Sequence, residues 1–344
     1  MGGVLAVRFS VFARASAPAQ IAVSQGASSP YVYLYPWNTG SGFGTKYSDP
    51  VSFPAGTLAD IAFSSDGLTL AGATDATPSI VAYPVNSNGF GTKYSNPGSS
   101  PAGAGNDVAF NGSSDVAIAH ATTPFVTAYP WSGSGFGTKY SDSGSLAAGT
   151  GNCVAFSDNG AAIATGNSGV GDRVNAWAWS GSGFGSKFSA PATPPGALGR
   201  GVTFGGSTFI SVASGGTSNC ATYPWSGSGF GTIYSDPATV PAGITFDVEF
   251  NQSVNVLAFG AQNSPYVAAY PWSSGFGTKY ADPATLPTGS GAGVDFYKDS
   301  DIAVGHQSSP YVSVYPWSSG FGTKYSNPAT LPTANASSVK FNQI

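Results

Sequence analysis

Few side chains in this 344-residue sequence are suited to catalysis. His120 and His306 are the only histidines, and neither has a carboxylate or cysteine neighbour at a metal-ligand spacing. A histidine without a base or a ligand partner is usually a structural residue with a local hydrogen bond. We therefore expect no catalytic residue, no cofactor and no metal ion, and we predict that the protein is not an enzyme.

Three carboxylates occupy one position of a repeated segment, where each begins a short apolar run: Asp60, Asp107 and Asp247. Clustered oxygens are the ligands that hard cations prefer, so these residues could line a weak cation site. An aspartate at such a position can instead cap the preceding turn. We favour the capping interpretation, because no Asp-x-Asp-x-Asp-Gly loop accompanies the three residues.

The middle of the same apolar run changes along the chain. It is Ala62, Ala109 and Ala155 in early copies, then Thr203, Glu249, Asp295 and Lys340 in later ones. We expect Lys340 to form an ion pair with Asp295 in the neighbouring copy. The alternative is that a water-filled channel tolerates polar residues at this position.

Aromatic residues carry the main binding potential in the sequence. Tryptophan recurs at one position in six copies: Trp37, Trp131, Trp179, Trp225, Trp272 and Trp317. Six exposed indoles would make a multivalent sugar-binding surface, whereas buried indoles would wedge neighbouring units apart, which we favour. With Arg173, in the longest of the variable loops, these tryptophans are the candidate residues for binding a partner or a glycan.

These residues belong to a repeat that covers most of the chain. A Gly-Phe-Gly or closely similar core places its phenylalanine at Phe43, Phe90, Phe136, Phe184, Phe230, Phe276 and Phe321, so the period is 45 to 48 residues. A period in the forties without a helical pattern is typical of stacked or radially arranged β units. Seven equal units predict one closed domain.

Each unit contains four short segments with strand character. In the last unit they are 293–297, 302–304, 311–315 and 321–325, separated by polar and glycine-rich turns. Such spacing predicts an antiparallel four-stranded sheet. Seven of these sheets bury their faces against one another in a ring, so we predict an all-β, seven-bladed β-propeller.

The two ends of the chain predict how the ring closes. Val339–Phe341 resembles a first strand without its blade, and the N-terminus supplies matching second, third and fourth strands at 21–23, 31–35 and 43–47. We expect the C-terminal strand to complete the N-terminal blade within a single domain of residues 20–344. Residues 1–19 form an N-terminal extension, whose segment Val7–Ser10 could supply an extra strand and take the innermost position instead.

Composition excludes several classes of partner. The net charge is −4 without a basic tract, which predicts no binding to nucleic acid. No apolar run approaches the roughly 20 residues that span a bilayer, so we expect no membrane insertion. Arg8 and Arg14 follow the N-terminal apolar run rather than precede it, so we expect no cleaved signal peptide. Cys153 and Cys220, at non-equivalent positions, are expected to be free and buried.

Two resemblances follow from these motifs. Val-Ala-Phe-Ser-Asp-Asn-Gly at 154–160 resembles WD40-like and YVTN-type β-propellers, although the repeats do not start with the Gly-His pair or end with the Trp-Asp pair of true WD40 units. The segment Tyr-Pro-Trp-Ser-Ser-Gly-Phe-Gly-Thr-Lys-Tyr at 315–325 resembles repeats of tailed-bacteriophage virion proteins, and the likeness extends over the chain from about residue 20.

The phage resemblance implies a non-enzymatic virion component, assembled in the host cytoplasm in multiple copies. Such a protein would decorate a capsid or tail, or recognise a host surface, with other virion proteins or a host-surface glycan or receptor as partners. The alternative function is a soluble, multivalent glycan-binding lectin.

Overall fold

The computed structural model describes residues 18–26, 29–216 and 219–344. Its 25 strands are β1 (Gln20–Gln25), β2 (Val32–Asn38), β3 (Gly42–Phe43), β4 (Leu58–Phe63), β5 (Thr69–Thr74), β6 (Ile80–Asn86), β7 (Gly89–Phe90), β8 (Gly105–Asn111), β9 (Asp115–His120), β10 (Val126–Pro130), β11 (Gly151–Phe156), β12 (Ala162–Asn167), β13 (Val174–Ser180), β14 (Gly183–Lys187), β15 (Gly199–Gly205), β16 (Phe209–Ser214), β17 (Cys220–Ser226), β18 (Gly229–Phe230), β19 (Thr245–Phe250), β20 (Val256–Ala261), β21 (Val267–Pro271), β22 (Gly291–Tyr297), β23 (Asp301–His306), β24 (Val312–Pro316) and β25 (Ala336–Phe341).

The strands form seven antiparallel sheets, which we number as blades along the chain. Blade 1 has the order β25-β1-β2-β3, and the others are β4–β7, β8–β10, β11–β14, β15–β18, β19–β21 and β22–β24. The predicted seven-bladed architecture is confirmed. No helix of the described residues is long and apolar enough to cross a membrane.

The fourth strand of most blades is shorter than the sequence predicts. In blades 3, 6 and 7 it is reduced to single bridges such as Trp131 with Phe136. Proline at the end of the third strand, for example Pro130, has no N–H to donate to a longer ladder. Blade 4 has Ala178 at this position, and only its fourth strand, β14, has five residues.

The C-terminal strand closes the ring as predicted. β25 pairs with β1 in a register that places Phe341 opposite Ile21 and Val339 opposite Val23. Asn342 Oδ1 accepts a hydrogen bond from the Gln20 backbone N–H at 2.8 Å. β25 therefore takes the innermost position of blade 1, and the alternative segment, Val7–Ser10, lies outside the described residues.

The apolar core lies between neighbouring blades. Seven clusters of buried side chains each combine residues of adjacent blades. Trp131 of blade 3, for example, contacts Tyr94 of blade 2 edge-on, with ring centroids 5.1 Å apart. Such edge-to-face contacts add to the large apolar area that each indole buries.

The loops after each second strand and the connections between blades share one face of the ring, which we call the connection face. Backbone hydrogen bonds join the two sets, as from Ala121 N–H to Ala104 O at 3.0 Å and from Gln262 N–H to Ile244 O at 2.8 Å. The innermost strands start at this face and run to the opposite face, called the turn face. The side chains that these strands present to the ring axis line a central channel.

Candidate functional site

The channel contains a cavity of about 310 Å³ that all seven innermost strands line. A second cavity of about 390 Å³ opens at the turn face and shares Glu249, Lys340 and Asp158 with the first. Pockets for small ligands begin at roughly 300 Å³, so the channel can hold a compact molecule.

At the connection-face end, amide and guanidinium groups line the cavity. Asn106 Nδ2 donates to Gly151 O at 2.7 Å, and Asn152 Nδ2 donates to Gly199 O at 2.8 Å, so both asparagines join neighbouring blades. The Arg200 guanidinium lies 5.4 Å from the centroid of the Phe246 ring. Its Nε is buried and has no hydrogen-bond partner among the described residues, which leaves a donor available at the mouth.

The aspartates of the next layer act between blades, not on the turns that precede them. Val154 N–H donates to Asp107 Oδ2 at 2.7 Å, and Val294 N–H donates to Asp247 Oδ2 at 2.9 Å, in each case from the next blade. Asp60 Oδ2 accepts more weakly from Val108 N–H at 3.4 Å. The turn-capping prediction was therefore wrong: an innermost strand has an unpaired edge, and carboxylates satisfy its N–H groups.

These aspartates do not form a metal site. Within the described ranges, no group of three or more histidine, cysteine, aspartate or glutamate side chains is arranged to hold a metal ion. Asp107 and Asp247 each already accept a backbone N–H of the next blade.

The channel-facing residues at the middle of the innermost strands, two positions after the aspartates, divide the channel into two unlike halves. We call Ala62, Ala109 and Ala155 the alanine half, and Thr203, Glu249, Asp295 and Lys340 the charged half. Methyl groups leave open space on one side of the cavity. Ionisable groups face that space from the other side.

Within the charged half, Lys340 pairs with Glu249 and not with the predicted Asp295. Its Nζ lies 3.7 Å from Glu249 Oε2, and Thr203 Oγ1 donates to Glu249 Oε1 at 2.9 Å. Asp295 Oδ2 instead accepts the Phe341 N–H at 2.6 Å. Asp295 was the predicted partner because its blade is next to that of Lys340. Its carboxylate is already engaged by the Phe341 N–H, and the long Lys340 side chain reaches Glu249 one blade further on.

Burial changes the acid-base behaviour of these groups. Burial raises the pKa of Glu249 to about 7, although Lys340 opposes the shift. The pKa of Asp295 is also raised well above its usual range, mainly by burial. For Lys340, burial lowers the pKa, but Asp247, Glu249 and Asp295 outweigh it and raise the pKa above its ordinary value. Glu249 is therefore a carboxyl group that can take or give a proton near neutral pH.

The structure places the sequence-predicted binding residues away from the channel. The six tryptophans are wedges between blades, with exposed fractions of 3% to 7%: Trp37, Trp131, Trp179, Trp225, Trp272 and Trp317. Arg173 lies on the connection face, where its Nη1 donates to Pro195 O at 2.9 Å. These positions favour the wedge interpretation over stacking of sugars on exposed rings, and a role of these residues in binding a partner stays a prediction.

Both histidines are buried and structural in their contacts. His120 Nε2 is 2.9 Å from Thr127 Oγ1, and His306 Nε2 is 3.1 Å from Ser313 Oγ, on the adjacent third strand. Burial lowers the pKa of each to about 4, so both are neutral at physiological pH. Cys153 and Cys220 are free and buried, as predicted.

Sequence reasoning missed Arg200. Arg200 stands at the second position of its innermost strand, where other copies have alanine, asparagine, phenylalanine or serine. An unusual residue at one position of a repeat was the available signal, and it had already identified Glu249, Asp295 and Lys340.

The architecture and channel are those of a seven-bladed β-propeller with a polar central cavity. The chain is similar in structure to a protein from Bacteroides fragilis that is named provisionally as a 6-phosphogluconolactonase, with a TM-score of 0.71 and 13% identity over 95% of this chain and 99% of that one. A Bacteroides uniformis protein with the same provisional name gives a TM-score of 0.70 and 15% identity over 94% and 99%. A functionally unknown protein from Desulfotomaculum acetoxidans gives 0.68 and 12% over 94% and 99%.

At these identities the likeness shows the fold. No protein-family model and no curated protein sequence matches the chain. The comparisons give no support to the WD40-like or phage resemblance.

The prediction of a non-enzymatic protein, either a virion component or a lectin, is corrected by these matches. Two of the three similar structures carry an enzyme's name. The sequence argument against an enzyme rested on the two histidines, whereas the ionisable groups that face the channel include Glu249, Asp295 and Lys340.

Proposed function

We propose that the channel hydrolyses a small lactone. The observation that carries the proposal is Glu249, a carboxyl group with a pKa of about 7 that faces open space in a cavity of about 310 Å³. General bases work best when their pKa lies near the operating pH. The provisional name of two structures with this fold adds the substrate class, a sugar-acid lactone.

In the proposed reaction, ionised Glu249 takes a proton from a water molecule as the water oxygen bonds to the lactone carbonyl carbon. The carbonyl electron pair moves onto its oxygen and forms a tetrahedral intermediate. When the carbonyl re-forms, the bond from its carbon to the ring oxygen breaks, and the ring oxygen takes up a proton. One lactone and one water give one open-chain hydroxy acid.

The two halves of the channel have separate roles in this proposal. Ala62, Ala109 and Ala155 leave room for the lactone ring beside the charged half. Thr203 donates a hydrogen bond to Glu249 Oε1. Oε2, which lies 3.7 Å from Lys340 Nζ, is the oxygen that remains available to water. The Lys340 ammonium lies close enough to Glu249 to favour its ionised form, and its charge also favours a developing oxyanion.

The test is to measure hydrolysis of several lactones, including gluconolactone with and without a phosphate group, by base uptake at constant pH and by NMR. We expect wild-type rates above the spontaneous rate and a loss of about 10²- to 10⁴-fold in Glu249→Gln, as for removal of a general base. Asp142→Asn, at an exposed ion pair with Lys139 on the outer rim, is the matched control and should keep the wild-type rate.

A wild-type rate equal to the spontaneous rate for every lactone would overturn the proposal. So would full activity in a folded Glu249→Gln variant, with folding checked by circular dichroism.

A further inference from the structure

Two carboxyl groups of neighbouring blades meet on the side of the channel that carries the alanine half. Asp60 in β4 and Asp107 in β8 occupy equivalent positions and line the same cavity as Glu249. Each accepts a backbone N–H of the next blade through Oδ2. Like charges on neighbouring carboxyl groups repel, which favours a proton on one of them.

Groups that line the same cavity have unused hydrogen-bonding capacity that a bound molecule could satisfy. Ser338 lines the same cavity and is 2% exposed, yet its Oγ has no partner among the residues that the structure describes. The buried Nε of Arg200 is a second donor that has no hydrogen-bond partner among the described residues. Buried polar atoms are nearly always satisfied, so unpaired ones that line a cavity indicate a polar ligand there.

We infer that Asp107 is the general acid of the hydrolysis, donating its proton to the ring oxygen as the bond to the carbonyl carbon breaks. The inference rests on the proposed function and adds the residue that protonates the leaving group. Asp107 then accepts a hydrogen bond as a carboxylate, and the proton that Glu249 took from water returns to Asp107 through solvent. Both side chains end each cycle in their starting protonation states.

The surroundings of Asp107 favour its protonated form. Burial raises the pKa of Asp107 well above its usual range, and the neighbouring Asp60 raises it further, whereas the Val154 N–H and the distant Lys340 act in the opposite direction. Cys153, the equivalent residue of the next blade, has a pKa raised by burial and stays neutral. Two titratable groups on opposite sides of one cavity, with different proton affinities, divide the acid and base roles.

The experiment compares two lactones whose leaving groups differ. The ring oxygen of an aliphatic δ-lactone leaves as an alkoxide, which needs a proton. The ring oxygen of dihydrocoumarin leaves as a phenolate, which is a far weaker base. In Asp107→Asn, which keeps an oxygen for the Val154 N–H, we expect kcat for the aliphatic lactone to fall by about 10²-fold or more. For dihydrocoumarin we expect a loss of less than about threefold.

The matched control is Asp247→Asn, which alters a carboxylate that also joins two blades but stands on blade 6, away from Asp60 on blade 2. Any structural effect of this change should alter both rates by the same factor. Equal losses on both lactones in Asp107→Asn would overturn the acid role alone. A wild-type chain that hydrolyses neither lactone would overturn the proposed function and this role with it.

An infrared difference spectrum tests the proton itself without relying on activity. At pH 7 the wild-type protein should show a carboxylic-acid carbonyl band that is absent from Asp107→Asn. If the two spectra match in this region, Asp107 is ionised and cannot be the acid.

Discussion

The alanine half and the charged half of the channel occupy the same layer of the same ring, on strands that are otherwise alike. Valine or isoleucine precedes this position in every innermost strand and phenylalanine follows it, as in Val108-Ala109-Phe110 and Val248-Glu249-Phe250. The flanking side chains pack between blades and are fixed by the fold. The central residue faces the channel and, as Ala109 does, contacts only the edge of a cluster, so it can vary more freely than its neighbours.

The difference shows how a repeat can build an asymmetric site. A ring of identical residues would give the cavity sevenfold character and no preferred orientation for a ligand. Three methyl groups opposite Thr203, Glu249, Asp295 and Lys340 create space on one side and charge on the other. Hydrolysis of a lactone needs both, because the ring requires room and water requires a base.

Removing the cation of the charged half should have the largest effect on stability. Loss of one partner from a buried ion pair costs about 3–5 kcal/mol, and the partial exposure of Lys340 and Glu249, 21% and 26%, reduces this to roughly 2–3 kcal/mol. Lys340→Met should therefore lose this amount at pH 8 in denaturant unfolding. At pH 5, which is below the pKa of about 7 of Glu249, that carboxyl group is protonated and the loss should be smaller.

The control for this change is Lys139→Met, which removes a lysine from an exposed rim pair with Asp142. Exposed pairs contribute up to about 1 kcal/mol, so this variant should stay close to wild type. Equal stability of Lys340→Met and wild type at both pH values would show that the charged half does not depend on its cation.

The next effect concerns the pH dependence of folding. The pKa of Glu249 is raised from 4.5 to about 7, so the folded protein binds this proton more tightly than the unfolded chain does. The contribution of this proton to the free energy of unfolding is fully present below about pH 4.5 and is lost as the pH rises through 7. The change is on the order of 2 kcal/mol after allowance for partial exposure.

Comparison of wild type with Glu249→Gln isolates this contribution. Burial of His120 and His306, whose pKa values are lowered to about 4, gives the opposite slope in acid, but it is common to both proteins. The difference in unfolding free energy should therefore decline from pH 4.5 to 7 and level off above that. A difference that does not change with pH would mean that Glu249 titrates normally.

These residues also show how far the sequence predicts the molecule. The repeated valine and phenylalanine gave the blades and the closure by Val339–Phe341, because packing between blades depends on residue type at fixed spacing. The change from alanine to Glu249, Asp295 and Lys340 indicated a polar channel. The partner of Lys340 was not predictable, because it depends on side-chain reach across the channel and on Asp295 being engaged by a backbone N–H.

Filling the alanine half should affect binding more than folding. Ala109→Leu adds volume to the open side of the cavity, so we expect kcat/KM for the preferred lactone to fall about tenfold, equivalent to about 1.4 kcal/mol. Stability should change by less than about 1 kcal/mol, because the added side chain points into open space. Ala284→Leu, on an exposed connection, is the control and should leave both quantities unchanged.

An unchanged kcat/KM in Ala109→Leu would show that substrate does not occupy the alanine half. Substrate would then have to reach the charged half from the turn-face cavity alone, without contact with the alanine half.

The smallest expected effect concerns the one uncharged member of the charged half. The Thr203 hydroxyl donates to Glu249 Oε1 and lowers the pKa of that carboxyl, against the larger effect of burial. Thr203→Val should therefore raise the pH of half-maximal activity by about half a unit, the size expected for loss of one hydrogen bond worth under about 1 kcal/mol. Thr203→Ser keeps the hydroxyl and should leave the profile in place. A shift in both variants would assign the effect to packing, and a shift in neither would mean that the hydroxyl does not tune the base.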